Sequence, residues 1–141
     1  MGLFSQFAVN TQKETDGVPV VFDANTDGTV PTIYLARQGG SNKKYAKAVE
    51  AAYRPVRRKL ELKTLTNEEA DPILKRLFAF NIIVGWDNVQ DENNTLIPFT
   101  AENALALISD PRMQDLFAHL DAVSKDSALF REASLEDEAK N

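Results

Sequence analysis

Ile73-Leu74-Lys75-Arg76-Leu77-Phe78-Ala79-Phe80-Asn81-Ile82-Ile83-Val84-Gly85-Trp86 is the most apolar stretch of the chain. Wound as a helix, Ile73, Leu74, Leu77, Phe78, Phe80, Ile82, Ile83 and Val84 would cover nearly its whole circumference, as in a central, buried helix. Two starts are open. Thr66 followed by Glu69 forms a capping box, and Asp71-Pro72 places a cap before a proline. The spacing favours a helix over 67–84 with Pro72 in or near its first turns and Gly85 as its stop. Lys75, Arg76 and Asn81 interrupt the stretch, which is shorter than the roughly 20 residues a membrane span needs.

Upstream, a helical period begins at Ser41. Asn42 can cap, and Tyr45, Val49, Ala52, Tyr53, Val56 and Leu60 follow at spacings of three and four. Pro55 should kink or end this helix, because it removes a hydrogen bond and clashes with the preceding turn. The first third reads as β. Phe7-Ala8-Val9 is a short strand candidate, and Val18, Val20, Phe22 and Ile33, Leu35 alternate with other residues. Asp16-Gly17 and Asn25-Thr26-Asp27-Gly28 are turn signals. Pro19 and Pro31 lack an amide hydrogen and suit strand beginnings or edges. A two- or three-stranded meander of this kind is marginal alone and should pack on the helices.

Downstream of the apolar stretch, a polar loop runs over 87–98. Thr100 then caps a short helix bearing Ala104, Leu105, Leu107 and Ile108. Asp110-Pro111 starts the last helix, with the stripe Met113, Leu116, Phe117, Leu120 and Val123, which Phe130 extends. The expected fold class is α+β and predominantly helical, a small N-terminal β-meander packed on about four helices. It forms one domain over 1–133, β-rich over 1–38 and helical over 41–131. Residues 134–141 read as an acidic tail expected to be disordered.

Composition sets outer limits. The chain has 141 residues, 43% of them hydrophobic and 26% charged, which is globular composition with enough length for one core. No cysteine is present, so disulfides and thiolate metal sites are excluded. The N-terminus, Met1-Gly2-Leu3-Phe4-Ser5-Gln6-Phe7, has neither the basic region nor the long apolar region of a signal peptide. The net charge of −5 hides an asymmetry. Arg37, Lys43, Lys44, Lys47, Arg54, Arg57, Arg58, Lys59 and Lys63 face only Glu50 and Glu61 in their segment. Glu132, Glu136, Asp137 and Glu138 make the C-terminal end acidic. Such an arrangement can steer partners by sign.

Little in the chain suggests catalysis. The one histidine, His119, has Asp115 four residues before it but no second convergent group, and reads as a helix-surface or boundary residue. One histidine without cysteine leaves only carboxylates for a zinc ion. The loop Asp87-Asn88-Val89-Gln90-Asp91-Glu92-Asn93-Asn94 is acidic but lacks the ligand and glycine positions of a calcium loop. Gly39-Gly40-Ser41-Asn42-Lys43-Lys44 lacks phosphate-loop spacing and reads as a glycine turn into a capped helix. Three readings of Lys43, Lys44, Lys47, Arg54, Arg57 and Arg58 stay open: a solvated helix face, a dock for an acidic protein surface, or a contact to nucleic acid. The acidic overall charge counts against nucleic acid.

Four stretches together resemble the tail assembly chaperones of long-tailed, siphovirus-type bacteriophages. They are Ile33-Tyr34-Leu35-Ala36-Arg37-Gln38-Gly39-Gly40-Ser41-Asn42-Lys43-Lys44-Tyr45, Pro55-Val56-Arg57-Arg58, Val84-Gly85-Trp86-Asp87-Asn88-Val89, and Ile97-Pro98-Phe99-Thr100-Ala101-Glu102-Asn103. The resemblance covers about residues 15–131 and rests on the ordered set. It departs from the family where Asn93-Asn94 stands in place of a glycine-containing turn.

The resemblance implies a non-enzymatic protein of the host cytoplasm that needs no cofactor. It implies binding to the long helical tape measure protein before the tube polymerises, recruitment of tail tube protein, self-association, and absence from the finished virion. Many such chaperones are made in two lengths by a programmed frameshift. Binding an elongated apolar helix calls for exposed apolar surface and many weak contacts. Phe117, Leu120 and Phe130 are candidates for that surface, with ordinary core packing as the alternative for each. Two other functions remain open: a structural tail or head–tail joining protein retained in the virion, and a small nucleic-acid-binding regulator.

Overall fold

A computed structural model describes residues 2–132; the expected acidic tail over 134–141 lies outside the described residues. The fold is α+β and mostly helical, as expected. Two short helices, α1 (Leu3–Phe7) and α2 (Thr11–Asp16), precede strands β1 (Val18–Val21) and β2 (Thr32–Leu35). Then come α3 (Lys43–Tyr53), a 3-10 turn (Arg54–Val56), α4 (Arg57–Glu61) and α5 (Asn67–Leu77). A π-helical turn (Phe78–Ile82) leads into β3 (Ile83–Asp87), and α6 (Ala101–Ser109) and α7 (Gln114–Lys125) follow. A last 3-10 turn spans Ser127–Phe130.

The three strands form one antiparallel sheet in the order β1-β2-β3. Val18, Ile33, Leu35, Ile83 and Trp86 point inward and are buried. Pro19 lies in β1, an edge strand, where a missing amide hydrogen costs little. Beneath the sheet, the π turn supplies Phe78, Ala79 and Ile82, and α6 and α7 supply Ala104, Ile108 and Leu120. All of these are removed from water, so the π turn is the centre of the core.

Two expectations are corrected. Phe7-Ala8-Val9 is not a strand. Phe7 closes α1, and Val9 forms a single bridge with Arg131. The Asn10 side chain accepts from the amides of Gln12 and Lys13, which starts α2 before a ladder can grow. Residues 2–38 are therefore helical as well as β.

The helix expected over 67–84 is α-helical to Leu77, runs on as the π turn to Ile82 and there gives way to the third strand, which comes from the middle of the chain. Its start is as expected, with the Thr66–Glu69 capping box formed. The far end fails because β2 would otherwise bury an unpaired edge. Ile83, Gly85, Trp86 and Asp87 pair with Leu35, Tyr34, Ile33 and Thr32, and the Ala36 amide donates to the Ile82 carbonyl at 2.8 Å. Tyr34 pairs with Gly85 and Leu35 with Ile83, so Val84 is an extra residue in a bulge and turns outward. Gly85 is a strand residue and not a helix stop.

Candidate partner-binding surface

Asn42 places the basic face. Its side chain accepts from the Tyr45 amide and caps α3, while its Nδ2 donates to the Arg37 carbonyl at 2.9 Å. Tyr45, Ala48, Val49 and Ala52 turn inward, leaving Lys43, Lys44, Lys47, Arg54, Arg57 and Arg58 exposed. Lys43, Lys47, Glu50 and Arg54 recur at helical spacing and make one stripe. Pro55 ends α3 as expected, and the chain restarts in α4 with Arg57 and Arg58. Arg54 approaches Glu50 at 3.8 Å, and Lys59 pairs with Glu69. Lys43, Lys44, Lys47, Arg57 and Arg58 form no ion pair among the described residues.

A buried polar cluster holds the start of this face in position. Glu14, on α2, is fully buried. Its carboxylate accepts from Arg37 Nη1 at 2.7 Å and from the Ser41 hydroxyl. Burial pushes the Glu14 carboxyl up, but hydrogen bonds from Ser41 and Arg37, with the Arg37 charge, hold it below the usual value. Gly40 has a φ of 58°, and a Cβ there would overlap the Glu14 carboxylate. The Gly39-Gly40 turn is thus shaped around a carboxylate of the protein's own. A second network joins the same turn to α7. Gln38 Nε2 donates to Asp121 and Ser124 at 2.7 Å each, and the Tyr45 hydroxyl donates to Gln38 at 3.0 Å. Sequence reasoning missed Glu14 and Gln38, because the partners of each lie far along the chain.

The apolar candidates need correction. Leu120 and Phe130 have no exposed surface, and Phe117 is half-buried, edge-on to Phe78 with ring centroids 5.2 Å apart. They are core, because the 3-10 turn after α7 folds Phe130 back under Arg37. Other apolar side chains are exposed, among them Leu60 and Leu62 next to the basic residues of α4, Leu3, Phe4 and Phe7 on α1, Val21 on β1 and Leu96 in the loop over 87–98.

On different elements, the loop over 87–98 and α6 enclose a cleft of about 560 Å³. Ile97, Ala106, Leu107 and Met113 line it, with Asp91, Glu92 and Asp110 among its polar groups. Arg112 bridges Asp110 at 2.8 Å and Glu92 at 2.9 Å. The Arg112 hydrogen bond holds the Asp110 carboxyl at about 2. The loop closes where Asp91 accepts from the Asn93 and Thr95 amides. Asn94, with a φ of 61°, takes the left-handed conformation a glycine would otherwise supply.

His119 is exposed and meets the edge of Phe22 at 6.0 Å between ring centroids. Among the described residues no group of three or more metal-ligating side chains comes together, and no helix is long and apolar enough to cross a membrane.

A charged, jointed helical face and, on other elements, an acidic-rimmed cleft belong to a protein whose origin is phage-derived: a family model for the YdaY prophage protein matches residues 40–141. The chain belongs to the YdaY prophage protein family. No curated protein and no solved structure matches it.

Proposed function

We propose that this protein is a tail assembly chaperone. It binds the tape measure protein and tail tube subunits in the host cytoplasm, and acts without catalysis. The observation that carries this reading is the α3–α4 face, where Lys43, Lys44, Lys47, Arg57 and Arg58, which form no ion pair among the described residues, lie on the same segment as exposed Leu60 and Leu62. Apolar contacts there give affinity, and the exposed charges mainly raise the association rate and are screened by salt. The family match supports the phage setting, and the four stretches resembling tail assembly chaperones support the tail role.

Coexpression with the tape measure protein of the same phage tests it. The complex should stay in solution, and the tape measure protein alone should precipitate. Reversing Arg57 and Arg58 to glutamate should slow association at low salt while leaving the far-ultraviolet circular dichroism unchanged. Failure of the purified partners to associate, with the protein found stoichiometrically in mature particles, replaces this reading with a structural tail component. The same exposed cations give the nucleic-acid regulator its support. Steeply salt-dependent binding to a random DNA duplex would favour that reading.

A further inference from the structure

The end of α4 and the cleft beside α6 both present apolar side chains, and they are opposite in charge. At the end of α4, Leu60 is 49% exposed and Leu62 63% exposed. This end is not a loose loop. Lys63 adopts a φ of 57°, and the Thr64 amide donates back to the Lys59 carbonyl at 2.8 Å, which closes the turn and fixes where the leucines point. Arg57, Arg58 and Lys63 flank the leucines in the chain, with Glu61 between them and Lys59 paired to Glu69. The cleft has the opposite character. Its floor is apolar, with Ile97, Leu107 and Met113, and Asp91, Glu92 and Asp110 outnumber Arg112 at its rim.

We infer that the tip of α4 in one copy seats in the acidic-rimmed cleft of a second copy, so that copies of this chain associate head to tail. A symmetric tip-to-tip contact would set arginine against arginine, which like-charge repulsion disfavours. The cleft volume of about 560 Å³ can seat aliphatic side chains of this size. Both halves of the contact stand on every copy, in equal number and on different elements. A heterologous contact of this kind builds a ring or an open chain and not a closed dimer. The inference deepens the self-association in the chaperone reading; because Leu60 and Leu62 cannot contact a second copy and the tape measure protein at once, it is tested on the purified chain alone.

Sedimentation of the full chain over a range of concentration should show growing oligomers that shrink as salt rises. Leu62→Asp damages only the tip, and Ala106→Arg, at an exposed cleft position, damages only the cleft. Each should weaken self-association by about thirtyfold or more. Mixed in equal amounts, the two should form a dimer that grows no further, because one intact tip meets one intact cleft. Carbodiimide coupling of a mixture of unlabelled and nitrogen-15 wild type should join Lys63 of one copy to Asp91 or Glu92 of another. A monomeric wild type overturns the inference. So does a dimer indifferent to both substitutions, a mixture of folded variants that stays monomeric, or an oligomer whose inter-copy couplings all lie elsewhere. Failure of tape measure binding with these results intact would remove the chaperone reading and leave the head-to-tail contact standing.

Discussion

Glu14 carries a charge that burial alone would not tolerate, so its stability depends on what faces it. Arg37 and Ser41 supply the compensation. Arg37→Met should cost about 3–5 kcal/mol, because it strands a buried carboxylate. The folded carboxyl lies below its usual value of 4.5. The folded state therefore binds the proton less readily than the unfolded chain. This contribution is complete above the usual glutamate value and is lost as pH falls through the lower, folded one. Glu14→Gln should be less stable than wild type at neutral pH, and the gap should narrow on acidification. Urea unfolding at a series of pH values checks this; a gap constant with pH would contradict it. Trp86 depends on packing instead. Its ring is 8% exposed and meets the edge of Phe99 at 5.2 Å, while its Nε1 donates to the Ile97 carbonyl at 2.8 Å. Trp86→Ala should cost about 3–5 kcal/mol in the same melts. A loss under about 1 kcal/mol would mean the site collapses around the gap.

At the level of elements, local signals were legible and long-range ones were not. Asn42, Thr66, Thr100 and Asp110 each accept from an amide two or three residues on, which needs no tertiary context to read. The change from helix to strand after Ile82 had no such signal. A run as apolar as Phe78 to Trp86 fits a buried helix and a buried strand alike, and only the free edge of β2 decides between them. The cations of the site were legible because charged side chains stay in water whatever the fold. Its leucines were not, since nothing in the chain says that Leu62 lacks cover while Leu120 has it. The turn at Asn93-Asn94 lies between these cases. Departure from glycine is tolerated because asparagine enters the left-handed region more easily than other residues. Asn94→Gly should leave stability within about 0.5 kcal/mol, and Asn94→Val should cost about 1–2 kcal/mol. Equal stability of the two variants in denaturant melts would show that the loop rearranges.

Across the whole molecule, the family match and the folded core have different boundaries. The family model begins at residue 40. Two of the three strands lie before it, as do Ile33, Leu35 and Glu14. Leu35 is fully buried and Ile33 nearly so, both in the cluster around Phe78, Ile82 and Ile108. Removing residues 1–39 would take away their apolar surface and leave Trp86 and Ile83 on a strand with no partner. A lone strand cannot satisfy its buried amides and carbonyls, and each one left unpaired costs about 1–3 kcal/mol. A fragment of residues 40–141 should therefore lack a cooperative unfolding transition, although α3, α5 and α6 keep their capping residues. Adding residues 1–39 as a separate peptide should restore the transition, because the Glu14–Arg37 cluster and β2 rebuild the missing face. Calorimetry and amide exchange on the fragment, alone and with the peptide, measure both outcomes. A cooperative melt of the fragment alone would show that the helices form a core without the sheet. The N-terminal third would then be an addition to the family's fold and not part of its foundation.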